Sequence, residues 1–174
     1  FLQQICSTLL IDPKEYEDTE QNEQKNTLYT EIDIKIRKSL LNLISVISIS
    51  VDTLPDSLCD PFLDFVFNQF YCGSLISCSP TEESNGIKEC AIITVANLTS
   101  ITGRITDSIV SYKMFLEDII ETIDDQSFET KVHICVIFSN LLFENSQYFD
   151  SLIQRINIVD KLKPLIWSTI PSLH

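Results

Sequence analysis

The stretch FSNLL, residues 138–142, closes a run of apolar residues that has the spacing of a buried helix. A second stretch, VANLT at residues 95–99, repeats the pattern 43 residues earlier. In both, one polar amide (Asn140 or Asn97) precedes a leucine near the end of an apolar segment. Helical-repeat arrays have units of ~40–47 residues. The sequence therefore predicts a repeated helical unit with the two asparagines at equivalent places.

The composition indicates a folded, helical chain. Among 174 residues, 44% are hydrophobic and 21% are charged, as in ordinary globular domains. Only three residues are glycine, which argues against glycine-rich nucleotide loops and many tight hairpins. We therefore expect an all-α fold in a single domain over residues 1–174. Because residue 1 falls inside a predicted helix, we expect the chain to be a fragment of a larger protein.

Apolar periodicity and capping residues divide the chain into helices. Residues 12–30 hold six acidic residues and hardly any apolar ones, and are predicted to form an acidic loop or insertion. Asp60 before Pro61 predicts one helix start, and Ser127 predicts another. The predicted helices span residues 1–11, 31–50, 61–71, 87–100, 106–112, 115–123, 128–143, 146–156 and 159–169.

The segments AIITVANL (residues 91–98) and ICVIFSNL (residues 134–141) resemble the third helix of an armadillo repeat. The shorter predicted helices lie where that family has its first and second helices. This resemblance to the armadillo/HEAT-like family covers about residues 87–170. It implies a right-handed α-solenoid of roughly three helical repeats. A further Asn-Leu pair begins at Asn42, 55 residues before Asn97, which fits one unit with an insertion.

The resemblance also implies a binding site, because armadillo proteins hold peptides along their third helices. An asparagine amide both donates and accepts hydrogen bonds and is suited to hold a peptide backbone. The alternative interpretation is that these amides bond a neighbouring helix and stabilise the stack. The predicted protein-binding residues are Asn97, Asn140, Ile93, Val136 and His133, with Asn42 and Lys38 as an extension. Nuclear-import receptors of the family carry Trp where this chain has Ile93 and Val136, which disfavours nuclear-localisation peptides as ligands.

We expect a protein–protein interaction module, a scaffold, adaptor or regulator that binds a peptide or helix. One alternative is an armadillo-type regulator or exchange factor of a GTPase or Hsp70-class partner. Another is a non-repeat helical bundle in which the spacing is accidental. We do not expect an enzyme, a cofactor or a metal, because the sequence has no metal, nucleotide or nucleophile motif. His133 and Cys135 are two residues apart, so on a helix they point in different directions.

Charge and cysteine content narrow the expected partners. The net charge of −13 disfavours nucleic acid, which needs clustered Lys and Arg, and the small basic cluster Lys35, Arg37 and Lys38 stands alone. Six scattered cysteines without metal spacing indicate free thiols in a reducing compartment, the cytoplasm or nucleus. No stretch has the ~18 apolar residues of a membrane span. We expect another protein as partner, with a homodimer or a continuation of the repeat array also compatible.

Overall fold

The computed structural model describes residues 1–10, 23–72, 82–101, 103–144 and 158–168. Within these ranges every regular element is helical, as an all-α fold requires. None of the described helices is both long and apolar enough to cross a membrane. The helices are α1 Leu2–Thr8, α2 Glu23–Ser50, α3 Asp56–Cys72, α4 Glu82–Leu98, α5 Arg104–Ser111, α6 Lys113–Glu121, α7 Phe128–Glu144 and α8 Ile158–Ser168, with a 3-10 turn at Ile123–Asp125.

One face of α4 and one face of α7 are fully buried, and the buried positions differ by 43 residues throughout. They are Ile87, Ala91, Val95 and Leu98 in α4, and Thr130, Ile134, Phe138 and Leu141 in α7, each at most 1% exposed. The spacing of three to four residues is that of one helical face. The 43-residue spacing of the two asparagines is therefore also the spacing between corresponding buried residues of α4 and α7.

Helix α2 follows the same pattern, 54 residues before α4. Its buried residues Arg37, Leu40, Leu41 and Ile44 correspond to Ala91, Thr94, Val95 and Leu98. In this register Leu43 corresponds to Asn97, and Asn42 precedes the equivalent place by one residue. The 55-residue spacing predicted for the Asn42 pair therefore differs by one residue from the spacing of the buried faces.

Helices α4 and α7 lie side by side and run in the same direction. Near their beginnings, Thr130 Oγ1 donates to the Glu89 carboxylate at 3.1 Å. Near their ends, Asn140 Nδ2 donates to Thr99 Oγ1 at 3.2 Å. The second contact lies ten residues after the first in both segments, so the two helices are parallel. Neighbouring helices in a simple up-and-down bundle would run in opposite directions.

Helix α2 packs on the opposite flank of α4, also in the same direction. Thr94 Oγ1 donates to the Leu41 carbonyl oxygen at 3.3 Å, and further along Asn97 Nδ2 donates to Ser45 Oγ. We call α2, α4 and α7 the stacked helices, and the α2–α4 and α4–α7 contacts the two seams. The shorter helices α5 and α6 lie between α4 and α7 in the chain, and α3 packs against α1, α4 and α5.

An aromatic cluster fixes the corner between α5 and α6 against α3. The Phe67 ring lies 4.1 Å from the ring of Tyr112 and 4.8 Å from that of Phe115, centroid to centroid. The Tyr112 hydroxyl donates to the Asp64 carboxylate at 3.0 Å. Burial, together with this hydrogen bond, raises the pKa of Tyr112 to about 12. The corner is therefore held by ring packing and one polar contact to α3.

A buried arginine joins three helices at the other end of the core. Arg37 is 5% exposed. Its Nε donates to Asp33 at 2.9 Å, and its Nη1 donates to Gln69 Oε1 at 3.1 Å and to the Leu9 carbonyl oxygen. A buried charge needs such partners to offset the loss of hydration. Arg37 is thus a link between α2, α3 and the end of α1, and within the small basic cluster only Lys35 is exposed.

The predicted acidic loop is wrong over its second half, because α2 begins at Glu23 and residues 23–30 are helical. Glu, Gln and Lys favour helix, and no glycine or proline interrupts residues 23–50. Polar composition is typical of a loop, but it is also the composition of a solvated helix. The remaining part of the predicted loop up to residue 22 lies outside the described residues.

Two other helix starts also differ from the prediction. Helix α3 begins at Asp56 and contains Pro61, where the sequence predicted a start at Pro61. Asp60 therefore does not cap the helix; it pairs with Arg104, Oδ2 to Nη2, at 2.7 Å. Helix α4 begins at Glu82, five residues before the predicted start. Pro61 is the sixth residue of α3, so it lacks the backbone hydrogen bond to the Ser57 carbonyl and its ring crowds that oxygen, yet the helix continues through it.

Most other boundaries lie within two residues of the prediction, although α1 ends at Thr8, three residues before its predicted end. Ser127 Oγ accepts the backbone N–H of Thr130 at 3.2 Å, the capping bond predicted for the start of α7. Helix α8 is within one residue of its predicted range. Gly103 has φ of 107°, a conformation that glycine adopts readily, at the turn between α4 and α5. The helix predicted over residues 146–156 lies outside the described residues.

Candidate protein-binding surface

The stacked helices share an outer face on the side turned away from the buried core. We define the outer face by six residues that are matched in the 54- and 43-residue registers. These are Ser39 and Val46 in α2, Ile93 in α4, Ser100 in the turn after α4, and Val136 and Phe143 in α7. Val46 is 55% exposed and Phe143 90% exposed, and the Ile93 side chain is half-buried. The outer face therefore presents exposed apolar side chains on α2 and α7, a half-buried one on α4, and no charge among these six residues.

Asn97 and Asn140 lie in the seams beside this face. Each is half-buried, and each uses its amide nitrogen to bond a hydroxyl on the preceding stacked helix or just beyond its end, Ser45 for Asn97 and Thr99 for Asn140. Ser45 and Thr99 are equivalent in the 54-residue register. The two hydrogen bonds are therefore one contact repeated in consecutive seams.

This repeated contact bears on the two interpretations of the asparagines. Stabilisation of the stack is the role for which the structure supplies the partners, two hydroxyl groups on neighbouring segments. Contact with a bound peptide stays a prediction. One amide hydrogen of each asparagine is used in the seam, so the side-chain oxygen is the natural group for a peptide N–H.

Ile93 and Val136 lie next to each other in the register of the outer face, as the sequence predicted. Val136 is 39% exposed. His133 is half-buried on α7, and its Nδ1 lies 2.9 Å from the Glu129 carbonyl oxygen. The ring is thus held along its own helix, where it can flank the outer face.

The two residues predicted as an extension do not continue the row of asparagines. Asn42 is exposed on α2, but Leu43 occupies the place equivalent to Asn97. Lys38 is half-buried and reaches across the first seam, since a Cβ added at Gly86 would lie 2.6 Å from its Nζ. Gly86 therefore leaves space on α4 for the Lys38 side chain, which crosses beside the outer face.

No catalytic group emerges among the described side chains. Burial raises the pKa of the Cys135 thiol, and it also raises the pKa of Cys90 despite the nearby Lys38 ammonium. A thiol with a raised pKa stays protonated near neutral pH and is a weak nucleophile. The four cysteines with described side chains are free thiols, and within the described residues no three His, Cys, Asp or Glu side chains are placed to hold a metal.

A cavity of about 500 Å³ lies between α1, α3 and the start of α5, away from the outer face. Its lining includes Asp56, Asp60 and Asp64, which follow one another at intervals of four residues on α3. Two of them are engaged, Asp60 with Arg104 and Asp64 with Tyr112. This cavity was not among the predicted sites, although the four-residue spacing of the three aspartates was a visible sign of a common face.

Sequence reasoning also missed the most exposed apolar residues of the outer face, Phe143 and Val46. The signal was present, because both α2 and α7 carry apolar residues around more than one face. Comparison with protein-family models, curated proteins and solved structures finds no match to this chain. The resemblance to armadillo repeats therefore stays a prediction.

Proposed function

We propose that the chain is a protein–protein interaction module, an armadillo-like right-handed α-solenoid of about three repeats that binds a peptide or helix on its outer face. The observation that carries this proposal is the exposure of apolar side chains at matched positions of α2 and α7, namely Val46, Val136 and Phe143, with the half-buried Ile93 of α4 between them. Apolar side chains grouped on a surface are typical of sites that bind another protein.

The arrangement of the stacked helices supports the solenoid part of the proposal. In an α-solenoid the corresponding helices of successive repeats lie side by side in the same direction, with shorter helices connecting them. Helices α4 and α7 meet this description in direction, in their 43-residue register and in the connecting helices α5 and α6. The equivalence of the Asn97 and Asn140 contacts in consecutive seams also supports it.

The chemistry of the outer face supports a particular kind of partner. Phe143 and Val136 are contact points for apolar side chains of a bound segment. Such side chains lie on one face of a bound helix or alternate along an extended peptide. The side-chain oxygens of Asn97 and Asn140 accept hydrogen bonds from its backbone. With 25 acidic and 12 basic residues, the chain attracts a partner that flanks its apolar residues with Lys or Arg.

Selection from a displayed peptide library tests the proposal even though the partner is unidentified. Peptides are selected on the wild-type chain, and their affinities are measured for wild type, for Val136→Asp and for Phe143→Asp. We expect each aspartate to weaken binding at least about tenfold, because the charge is placed where an apolar anchor docks. We expect the enriched peptides to combine apolar residues with Lys or Arg.

Met114 supplies the matched control, since it is an exposed apolar residue of α6, 72% exposed, outside the outer face. Met114→Asp should leave the affinity of the same peptides unchanged. Circular dichroism and thermal melting of all three variants check that the fold is retained. Failure to enrich any peptide, or equal binding by Phe143→Asp and wild type, would overturn the proposal.

A further inference from the structure

The two ends of the stack expose flanks that are covered in its interior. On α4, the flank towards α7 runs through Glu89, Ile92, Ala96 and Thr99, of which the last three are at most 2% exposed. The equivalent residues of α7, 43 positions later, are Val132, Cys135, Ser139 and Leu142. We call these four residues the α7 flank. Val132 is 43% exposed and Leu142 38% exposed, so no described residues cover the flank as α7 covers that of α4.

Helix α2, at the opposite end of the stack, exposes the flank that corresponds to the α2-facing side of α4. In α4 the residues Cys90 and Asn97 lie on the side that faces α2, as the Asn97–Ser45 bond shows. Their equivalents in α2 are Ile36 and Leu43, 48% and 44% exposed. We call Ile36 and Leu43 the α2 flank. The α2 flank is apolar, and the α7 flank has two exposed apolar residues, Val132 and Leu142, beside the exposed Ser139.

At the two ends of the stack, leucine replaces both partners of the seam hydrogen bond. Each seam inside the molecule joins an asparagine to a hydroxyl. At the asparagine place α2 has Leu43, and at the hydroxyl place α7 has Leu142. A partner helix that offered an asparagine to Leu142, or a hydroxyl to Leu43, would leave its polar group without a bond. Each leucine instead matches the other.

We propose that the α7 flank binds the α2 flank of a second copy of this chain, with the two helices parallel and Leu142 against Leu43. The contact continues the geometry of the α4–α7 seam and replaces its hydrogen bond with leucine packing. It leaves the outer face free and does not depend on the function proposed for that face. Because the two flanks differ, the contact is head-to-tail and adds further copies in a row.

The charge of the chain predicts how this association responds to salt. Each copy carries a net charge of −13, so two copies repel one another at low ionic strength. None of the residues that define the two flanks is acidic or basic, so the contact itself includes no ion pair. Added salt screens the repulsion while leaving the apolar contact intact, and the association should strengthen.

Sedimentation velocity on the 174-residue chain tests the proposal with two variants, Leu43→Glu and Leu142→Glu. Wild type should show an average mass that rises with concentration above the 19.9 kDa of one copy, more strongly at high salt. Each variant alone should remain a single copy, because one of its flanks is blocked. An equal mixture should form dimers and stop there, since the intact flanks of the two variants still meet.

Met114→Glu, on α6 and outside both flanks, is the control and should associate as wild type does. Because the substituted leucines are exposed in one copy, both variants should keep the wild-type circular dichroism. If either fails to fold, Ile36→Glu and Val132→Glu replace it on the same flanks. A wild type that stays a single copy at every concentration overturns the proposal. So does a variant that still dimerises alone, or a mixture that does not dimerise.

Discussion

Helices α4 and α7 have the same inner face and different surroundings. Their buried rows match residue for residue at a spacing of 43 positions, yet the described residues cover both flanks of α4 and only one flank of α7. The sequences of the flanks differ accordingly. Where α4 has Ala96, a small apolar residue under a neighbouring helix, α7 has Ser139, which is exposed. The inner face of each helix is set by the period of the fold, whereas the flank is set by the position of the helix in the stack.

The same comparison extends to α2, which has a different inner face. At the place of Ala91 in α4 and Ile134 in α7, α2 has the buried Arg37. Both α4 and α7 have a fully buried apolar residue at this place, although the described residues cover only one flank of α7. The first stacked helix is instead joined to α1 and α3 through a charged side chain with three partners.

An arginine placed at equivalent positions of α4 and α7 should give the largest difference in stability between the two helices. Ala96→Arg puts a long charged side chain into the α4–α7 seam and should destabilise the fold by about 4 kcal/mol or more. Ser139→Arg places the same side chain in solvent and should change stability by no more than about 0.5 kcal/mol. Urea unfolding of both variants measures the difference. Equal destabilisation by the two substitutions would contradict the described burial of Ala96.

Removal of the buried arginine should have the next largest effect. Arg37→Ala leaves the Asp33 carboxylate, the Gln69 amide and the Leu9 carbonyl without their common partner, at a cost of about 3 kcal/mol. Ile134→Val, at the equivalent place in α7, removes one methyl group from a buried site and should cost about 1 kcal/mol. Thermal and denaturant unfolding compare them. A smaller loss for Arg37→Ala than for Ile134→Val would rule out the buried network.

The seam asparagines give a smaller and more selective prediction. Asn97→Ala and Asn140→Ala each remove one partly buried hydrogen bond and should each cost about 1 kcal/mol. Asn42→Ala, the exposed member of the third Asn-Leu pair, should be neutral. A double-mutant cycle of Asn140 with Thr99 measures the coupling directly. Full stability of Asn140→Ala, or a loss for Asn42→Ala as large as for Asn97→Ala, would contradict the assigned register.

The fold could be predicted from the sequence where local and repeated signals agree. The Ser127 cap, the buried face of α4 and the 43-residue period follow from capping chemistry and apolar spacing, and the structure has all three. The start of α2 could not be predicted in the same way. Its first residues are polar, and polar composition alone does not separate a solvated helix from a loop.

The candidate site was predicted in part. The sequence placed Ile93 and Val136 at matched positions. The register of α2 depends on long-range packing, and in the structure the equivalent of Asn97 is Leu43, one residue after the predicted Asn42. The burial of Arg37 was hidden for a similar reason, because its partners Gln69 and Leu9 come from distant parts of the chain. Contacts between segments decide such features, and a single sequence does not encode them as a local pattern.

The shared direction of the stacked helices has an electrical consequence. Their ends, Ser50, Leu98 and Glu144, carry no Lys or Arg in the last turn. The aligned peptide dipoles of each helix place about half of a negative elementary charge at its C-terminus. Since the helices are parallel, these partial charges collect at one edge and their positive counterparts at the other. The stack is therefore a permanent dipole whose field orients an approaching charged molecule before any side chain touches it.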